Sequence, residues 1–266
     1  GSPSFDAEIS GDNDDTDLTN NTASQTAAIS CANDLRSETI DYGTIQANWK
    51  LDGNTDDSSG NGYNETTDPA SNLSYSTSNF LEGTASAEFN GNTTIQYSDG
   101  SFLGGNNDFI SIAGWIYPTD LTGQRIIFEE GGSGNGLTLS MNANKLTLSI
   151  VTSGEVQVDL EAPNELQLNV WQHVAGVFDN GTLRVYLNGA ENSVTAGYDT
   201  IGGNGDSGGL GGRIGNSVIG GADNFIGSLD AFVYSNTNAF SDTAIRADAE
   251  QICFSFIQNT DGDWST

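Results

Sequence analysis

Short segments in which apolar and polar residues alternate recur along most of the chain, and this pattern limits the fold more than any other feature. Polar turns separate the segments, as at residues 142–144 and 179–181. Alternation with period two predicts strands, and short turns between them predict antiparallel pairing in a two-sheet sandwich. The predicted strands cover residues 45–52, 84–90, 93–97, 109–118, 124–130, 136–141, 145–151, 155–161, 170–179, 182–190, 210–215 and 226–235.

One helix is predicted near the carboxyl end, over residues 241–252. Ser241 can cap its first turn, and small or apolar residues inside the segment offer packing positions. The largest residues of the predicted strands form the predicted core. These are Trp49, Phe89, Trp115, Trp171, Val177, Leu187 and Phe232.

The charge of the chain excludes some classes of partner. Of its 266 residues, 36 are acidic and 7 are basic, so the formal net charge is −29. Such a charge argues against nucleic acid and anionic membrane surfaces and favours divalent cations. No apolar run approaches the ~18 residues of a membrane-spanning helix, so membrane insertion is not expected.

The sequence predicts one main domain between two acidic ends. Residues 1–30 contain six carboxylates, no basic residue and few large apolar residues, which is typical of an arm or linker. We assign residues 31–256 to the β-sandwich and residues 257–266 to a second acidic linker. A chain of this length can form a single all-β domain with a sizeable core.

Residues 49–64, WKLDGNTDDSSGNGYN, connect a strand to a loop that is rich in oxygen ligands. The loop holds three glycines and six carboxylate or amide side chains, at Asp52, Asn54, Asp56, Asp57, Asn61 and Asn64. Calcium binds six to eight such oxygens, and glycine lets backbone carbonyls converge. A solvated turn rich in Asp and Asn explains the same composition.

This run and three later stretches resemble, in order, the motifs of concanavalin A-like, laminin G-type (LamG-like) modules of secreted and cell-surface proteins. The later stretches are SAEFNG at 86–91, NVWQHVAGVFDNGTLRVYLNG at 169–189 and FIGSLDAFVYSNTNAFSDTAIRA at 225–247. The resemblance implies an all-β, antiparallel two-sheet jelly-roll sandwich with one short C-terminal helix.

The resemblance also implies a structural Ca²⁺ where the DSSGNG loop meets the aspartate of the last motif. Those positions are Asp57, Asn61, Asn64 and Asp230 in this chain. One observation supports Asp230 independently, because a carboxylate inside an apolar strand is costly unless something compensates it.

The two cysteines, Cys31 and Cys253, lie at the two ends of the module. In a jelly roll the terminal strands are close, so we expect a disulfide between them. Two buried free thiols are the alternative. A disulfide indicates an oxidising compartment, and we therefore expect a secreted or cell-surface protein.

Catalytic chemistry has little support in the sequence. His173 is the single histidine and lies in an apolar strand, which is typical of a packed residue. Glu129 and Glu130 are adjacent and should point to opposite faces of a strand. Glu155, Asp159 and Glu161 have suitable spacing but no neighbouring aromatic residues, and the E-x-D-x-x-E pattern of laminarinase-like enzymes is absent. We therefore expect no enzymatic activity.

The sequence favours a non-catalytic, extracellular recognition module that is stabilised by Ca²⁺ and binds carbohydrate or mediates adhesion through a protein partner. Three tyrosines in or beside long polar loops, Tyr63, Tyr75 and Tyr198, are the candidate ligand-binding residues. The alternative is a structural or interaction subunit of a surface filament or large adhesin without a small ligand. A polysaccharide-active enzyme is the weaker alternative.

Overall fold

A computed structural model describes residues 40–65, 73–97, 105–132, 135–151, 157–198, 200–203, 208–212 and 219–261. Side chains are described throughout these ranges except at 105–106, 132, 202–203 and 252–261. The chain divides into two units, Gly1–Ser30 and Cys31–Thr266. All of the first unit lies outside the described residues, so the predicted domain boundaries stay a prediction.

The chain forms mainly strands, followed by one helix. The elements are β1 (Ala47–Trp49), β2 (Ser74–Ser76), β3 (Ser86–Asn90), β4 (Ile95–Tyr97), β5 (Gly105–Asn107), β6 (Phe109–Pro118), β7 (Gln124–Gly132), β8 (Asn135–Asn142), β9 (Lys145–Val151), β10 (Gln157–Glu165), β11 (Gln172–Asp179), β12 (Thr182–Leu187), β13 (Ala190–Thr195), β14 (Ile201–Gly203), β15 (Gly208–Leu210), β16 (Asp223–Asn224), β17 (Ile226–Ser235) and α1 (Asp242–Asp261).

Two large antiparallel sheets contain most of these strands. The first sheet has the order β13-β12-β11-β6-β17-β3-β2, and β1 also pairs with β17. The second has the order β10-β9-β8-β7-β15-β4, and β16 joins β7 in parallel. A small third sheet pairs β14 with β5. The predicted antiparallel jelly-roll sandwich with one carboxyl-terminal helix is confirmed.

The main core contains apolar side chains from both large sheets. Trp49, Phe89, Leu187 and Phe232 belong to it, as predicted. Trp115 and Val177 are buried too, but in separate clusters. Trp171 is only partly buried against the cluster of Trp115.

The outer face of the first sheet is covered, which explains these differences. Ala113 and Val177 pack against Tyr42, Phe240 and residues of α1. His173 is fully buried on this face, with its Nε2 atom 3.4 Å from Asp248 Oδ2 on α1. The interpretation of His173 as a packed residue is therefore confirmed.

Local predictions hold best where turn chemistry is distinct. Positive φ at Ala143 and Asn180 closes the β8–β9 and β11–β12 hairpins. The Ser241 hydroxyl accepts a hydrogen bond from the Ala244 backbone N–H at 3.2 Å, as expected of a cap. The helix continues past residue 252, where we predicted its end. No helix in the described part of the chain is long and apolar enough to cross a membrane.

A carboxyl group lies inside the main core. Glu130 points inward from β7 and accepts hydrogen bonds from the Tyr234 hydroxyl at 2.9 Å and from Asn107 Nδ2 at 3.4 Å. Burial raises the pKa of Glu130 to about 8, and the hydrogen bond from Tyr234 offsets part of that rise. Glu130 is therefore mostly protonated in the folded protein at neutral pH.

This pKa predicts that Glu130 makes stability depend on pH. The unfolded chain releases this proton near pH 4.5, whereas the folded protein holds it up to about pH 8. Between these values the folded state binds more protons, so the free energy of unfolding falls by about 1.4 kcal/mol per pH unit for this group. Urea unfolding across this interval should show a shallower decline for Glu130→Gln, which has no proton to lose. Parallel pH profiles for the two proteins would contradict this account.

Candidate functional site

Asp57 lies in a turn that satisfies both of its carboxylate oxygens. Oδ1 accepts hydrogen bonds from the backbone N–H groups of Asn48 at 2.9 Å and Ser59 at 2.8 Å. Oδ2 accepts from the Ser59 hydroxyl at 2.7 Å and the Tyr63 N–H at 3.0 Å. Partial burial alone would raise the pKa of Asp57, but these donors outweigh it and hold the pKa below its usual value.

The two asparagines of the predicted metal set complete the same turn. Asn64 Oδ1 accepts a hydrogen bond from the Asp57 N–H at 2.8 Å. Asn61 Nδ2 donates to the Gln46 carbonyl at 2.8 Å. The structure therefore brings Asp57, Asn61 and Asn64 together in a closed network of hydrogen bonds.

Asp230 has a different environment. It is fully buried in β17, and Oδ2 accepts hydrogen bonds from the N–H groups of Leu81 at 2.7 Å and Glu82 at 3.1 Å. Oδ1 is buried and has no hydrogen-bond partner in the described part of the chain. Burial raises the pKa of Asp230 to about 8, the two N–H donors offset part of this, and the carboxylates of Glu82 and Asp52 raise it further.

Asp57 and Asp230 of the predicted metal set differ in their capacity to bind a cation. A carboxylate has about four acceptor positions, and four donors already fill those of Asp57. Asp230 retains an unpartnered oxygen, and Asp52 contacts the same turn by accepting a hydrogen bond from the Ala85 N–H at 3.1 Å. Among the described residues, no group of three or more His, Cys, Asp or Glu side chains is placed to hold a metal ion. The Asp57 turn therefore does not fit Ca²⁺, whereas the surroundings of Asp230 could accept one with help from backbone oxygens.

The three candidate tyrosines are not fully exposed to solvent. Tyr63, Tyr75 and Tyr198 are partly buried and pack against the main core. Burial, with the nearby carboxylates of Glu65 and Asp56, raises the pKa of Tyr75 to about 12. Their role in ligand binding stays a prediction. The disulfide also stays a prediction, because Cys31 and the side chain of Cys253 lie outside the described residues.

A more unusual polar surface lies on the outer face of the second sheet. Thr138 and Ser140 of β8 alternate with core leucines, and so do Thr147 and Ser149 of β9. We call these four residues the hydroxyl face. All four side chains are buried, and none of their hydroxyls has a hydrogen-bond partner among the residues that the structure describes.

Strand register arranges the hydroxyl face as a compact array. Thr138 pairs with Ser149 and Ser140 pairs with Thr147. Neighbouring strands lie about 4.8 Å apart and residues two apart on a strand about 6.8 Å apart. Four groups that can each donate and accept therefore share an area the size of a small polar molecule. A buried polar group without a partner costs about 1–3 kcal/mol, and no described residue hydrogen-bonds to these four hydroxyls, so a bound polar molecule would offset that cost.

Asp159 and Glu161, two residues apart on the edge strand β10, have suitable spacing at about 6.8 Å, but both side chains are exposed. Glu129 and Asp159, on two different strands of this outer face, are too far apart for paired acid–base catalysis. Glu129 of β7 pairs with Thr138, and Asp159 of β10 pairs with Ser149, so three strand spacings separate them. That separation is about 14 Å, whereas glycoside hydrolases place their carboxyl groups roughly 5–9.5 Å apart. Glu130 points into the core, so the expectation that Glu129 and Glu130 face opposite ways is confirmed.

We did not predict the hydroxyl face from the sequence, although a signal was present. The same four residues, Leu-Thr-Leu-Ser, occur at 137–140 and again at 146–149, in consecutive strands. Alternation places their hydroxyls on the face opposite the leucines. The sequence does not show that this second face is covered, and the cover makes the hydroxyls unusual.

Known structures share this fold at low sequence identity. Domain 4 of AbnA, an extracellular GH43 arabinanase from Geobacillus stearothermophilus solved with arabinotriose, matches at 22% identity with a TM-score of 0.56, covering 77% of this chain and 98% of that one. The ligand-binding domain of botulinum neurotoxin serotype D, solved with N-acetylneuraminic acid, matches at 14% identity and TM-score 0.60 over 77% of this chain. The serotype G binding domain matches at 16% identity and TM-score 0.60 over 81%. The chain spans about half of each toxin domain.

A comparison with curated protein sequences found no match. A family model does match, over residues 89–246, which is more than half of the chain. Its description is the concanavalin A-like lectin/glucanases superfamily, in agreement with the two antiparallel sheets and the motifs along the strands. The chain therefore belongs to the Laminin_G_3 family of the concanavalin A-like lectin/glucanases superfamily.

Proposed function

We propose that this protein is a non-catalytic, extracellular carbohydrate-recognition module and that its ligand binds at the hydroxyl face. One observation carries the proposal: four buried hydroxyls on adjacent strands have no hydrogen-bond partner. A sugar carries several hydroxyls that donate and accept, so it can satisfy an array of this kind at once.

Three further observations support this function over its alternatives. Glu129 and Asp159 on the outer face are too far apart for glycoside hydrolysis, and the more closely spaced Asp159 and Glu161 are both exposed on the edge strand β10. Two structures with the same fold were solved with an oligosaccharide or a sugar acid. The formal charge of −29 argues against nucleic acid as a partner.

A glycan array with the labelled full chain tests the proposal. It should include neutral and acidic oligosaccharides, with arabinotriose among them. Saturable binding of at least one glycan is expected. Folded protein that binds no glycan would contradict the proposal and would favour a structural or adhesion subunit. Release of reducing sugar would contradict the non-catalytic part.

Thr138→Val should raise stability and lower binding together. Valine keeps the shape of threonine but removes a hydroxyl that lacks a partner, so we expect the free energy of unfolding to rise by about 1 kcal/mol. The same change should weaken glycan binding at least tenfold, since it deletes a bond to the ligand worth about 1.4 kcal/mol.

Thr93→Val is the matched control. Thr93 is equally buried, but its hydroxyl donates to Asn90 Oδ1 at 3.1 Å. Thr93→Val should therefore lower the free energy of unfolding and leave glycan binding unchanged. Urea unfolding and titration with the glycan from the array measure both quantities. If Thr138→Val bound the glycan as tightly as the unmodified protein, the ligand would not bind at the hydroxyl face.

We also propose that Ca²⁺ stabilises the fold beside Asp230. The unpartnered Oδ1 atom supports this, because a cation there would compensate a buried charge. Asp52 and Glu82 would contribute their negative charge to the same region. This site is narrower than the four-residue set that the resemblance implies, since the acceptors of Asp57 are already used.

Calcium should therefore raise the melting temperature of the chelator-treated protein. Binding to the folded state alone adds about 2.7 kcal/mol at a hundredfold excess over Kd. Asp230→Asn should abolish the shift. Asp57→Asn should lower stability through its turn and yet keep the shift. An equal melting temperature in chelator and in Ca²⁺ would contradict the proposal. If Asp57→Asn abolished the shift and Asp230→Asn did not, Ca²⁺ would bind at the Asp57 turn instead.

A further inference from the structure

Part of the cover over the hydroxyl face is a short glycine-containing segment, residues 219–222, which we call the strap. Ile219 and Ala222 are buried and cluster with Ile126 and Val151, both of which lie outside the main core. Between them, Gly220 and Gly221 are exposed, and no atom lies within 4 Å of where a Cβ of either would be.

Strand register shows what the strap crosses. Ile126 pairs with Ser140, and Val151 lies two residues beyond Ser149 on the same strand. Thr138 pairs with Ser149 and occupies the position between Ile126 and Val151 on this face. A segment that packs in one cluster with both Ile126 and Val151 therefore passes over the hydroxyl face.

The carboxyl-terminal end of the strap is anchored to the second sheet. Beyond Ala222, Asp223 and Asn224 form β16 and pair with β7. The Asn224 carbonyl also accepts a hydrogen bond from Arg125 Nη1 at 2.9 Å, and Arg125 in turn forms an ion pair with Asp120 at 2.7 Å. Gly221 has a φ of +82°, and the glycine pair has no side chains that would oppose bending. The strap therefore has a fixed anchor beside a pair of residues suited to a hinge.

The contacts beneath the strap favour its displacement. Ile219 and Ala222 contribute apolar contacts, but the neighbouring hydroxyls have no hydrogen bonds while they are covered. Withdrawal of the strap would let water or a ligand hydrogen-bond to them. In the closed state, the apolar contacts of the strap lower the free energy and the unpartnered hydroxyls raise it. Because these two contributions oppose each other, the closed and open states can be similar in free energy.

We propose that the strap is a displaceable cover and that the hydroxyl face binds its polyhydroxyl ligand only after residues 219–222 move away. This inference rests on the proposed function for the identity of the ligand, but the movement itself does not require one. Apparent affinity then depends on the fraction of molecules in which the strap is open.

Thiol labelling of the ligand-free chain tests the movement. Ser149→Cys places a thiol on the hydroxyl face with little change in size, and Ala87→Cys places one in the main core, where Ala87 is equally inaccessible. Iodoacetamide labelling is followed at each engineered position by peptide mass spectrometry, which separates it from Cys31 and Cys253. Labelling at position 149 should be at least about tenfold faster than at position 87, because local opening is more frequent than global unfolding.

Ile219→Ala, added to each cysteine variant, decides whether the strap controls the opening. It removes apolar contact from the closed state only, so it should speed labelling at position 149 by roughly tenfold and leave position 87 unchanged. Equal labelling rates at both positions, or an Ile219→Ala effect that is absent or the same at both, would overturn the proposal. Because no glycan is used, a negative labelling result would contradict the movement of the strap without affecting the glycan-array result. A negative glycan array would contradict the proposed function without affecting the labelling result.

Discussion

Burial on both faces of each large sheet is the constraint on which the rest of this structure depends. The inner faces form the main core, whereas Tyr42, Phe240 and α1 cover the first sheet and the strap covers part of the second. Outward-facing side chains beneath these covers, which would meet water in an ordinary two-layer sandwich, are therefore enclosed. Each polar group on an outer face must find a partner within the protein, lose its charge or take a ligand.

The polar groups of this protein meet that constraint in different ways. Asp57 is satisfied by four donors from its own turn and from Asn48 of β1, which removes any need for a cation. Glu130 stays protonated and hydrogen-bonded inside the core. The hydroxyl face satisfies the constraint in neither of these ways, because its four hydroxyls carry no charge and have no partner among the described residues. This contrast places the candidate binding surface on β8 and β9, away from the loop that is richest in oxygen ligands.

The sequence predicted the architecture well, because strand alternation and turn chemistry are local properties. The bounds of β6, β9 and β17 agree with the predicted segments, and the β8–β9 and β11–β12 hairpins close at the predicted turns, with positive φ at Ala143 and Asn180. Short strands such as β5 and β14 were missed, since three residues carry too little periodicity to be distinguished from a loop.

The candidate site was harder to predict, because it depends on tertiary cover. Oxygen-rich composition drew attention to Asp57, but composition does not reveal that three backbone N–H groups and the Ser59 hydroxyl fill its acceptor positions. The burial of Trp115 and Val177 was predicted, but Val177 packs beneath α1 and Trp115 packs with Leu81, and strand alternation encodes neither cover. The repeated Leu-Thr-Leu-Ser pattern, which we did not use, is a local signal for the outward hydroxyls, whereas their burial depends on residues more than sixty positions further along the chain.

The central claim is that the ligand binds the outer face of β8 and β9. Chemical-shift mapping of the isotope-labelled protein, titrated with a glycan to which it binds, tests this most directly. The account predicts that the largest amide and side-chain shifts occur at Thr138, Ser140, Thr147 and Ser149 and extend to the strap. Shifts confined to Tyr63, Tyr75 and Tyr198, with β8 and β9 unchanged, would contradict it.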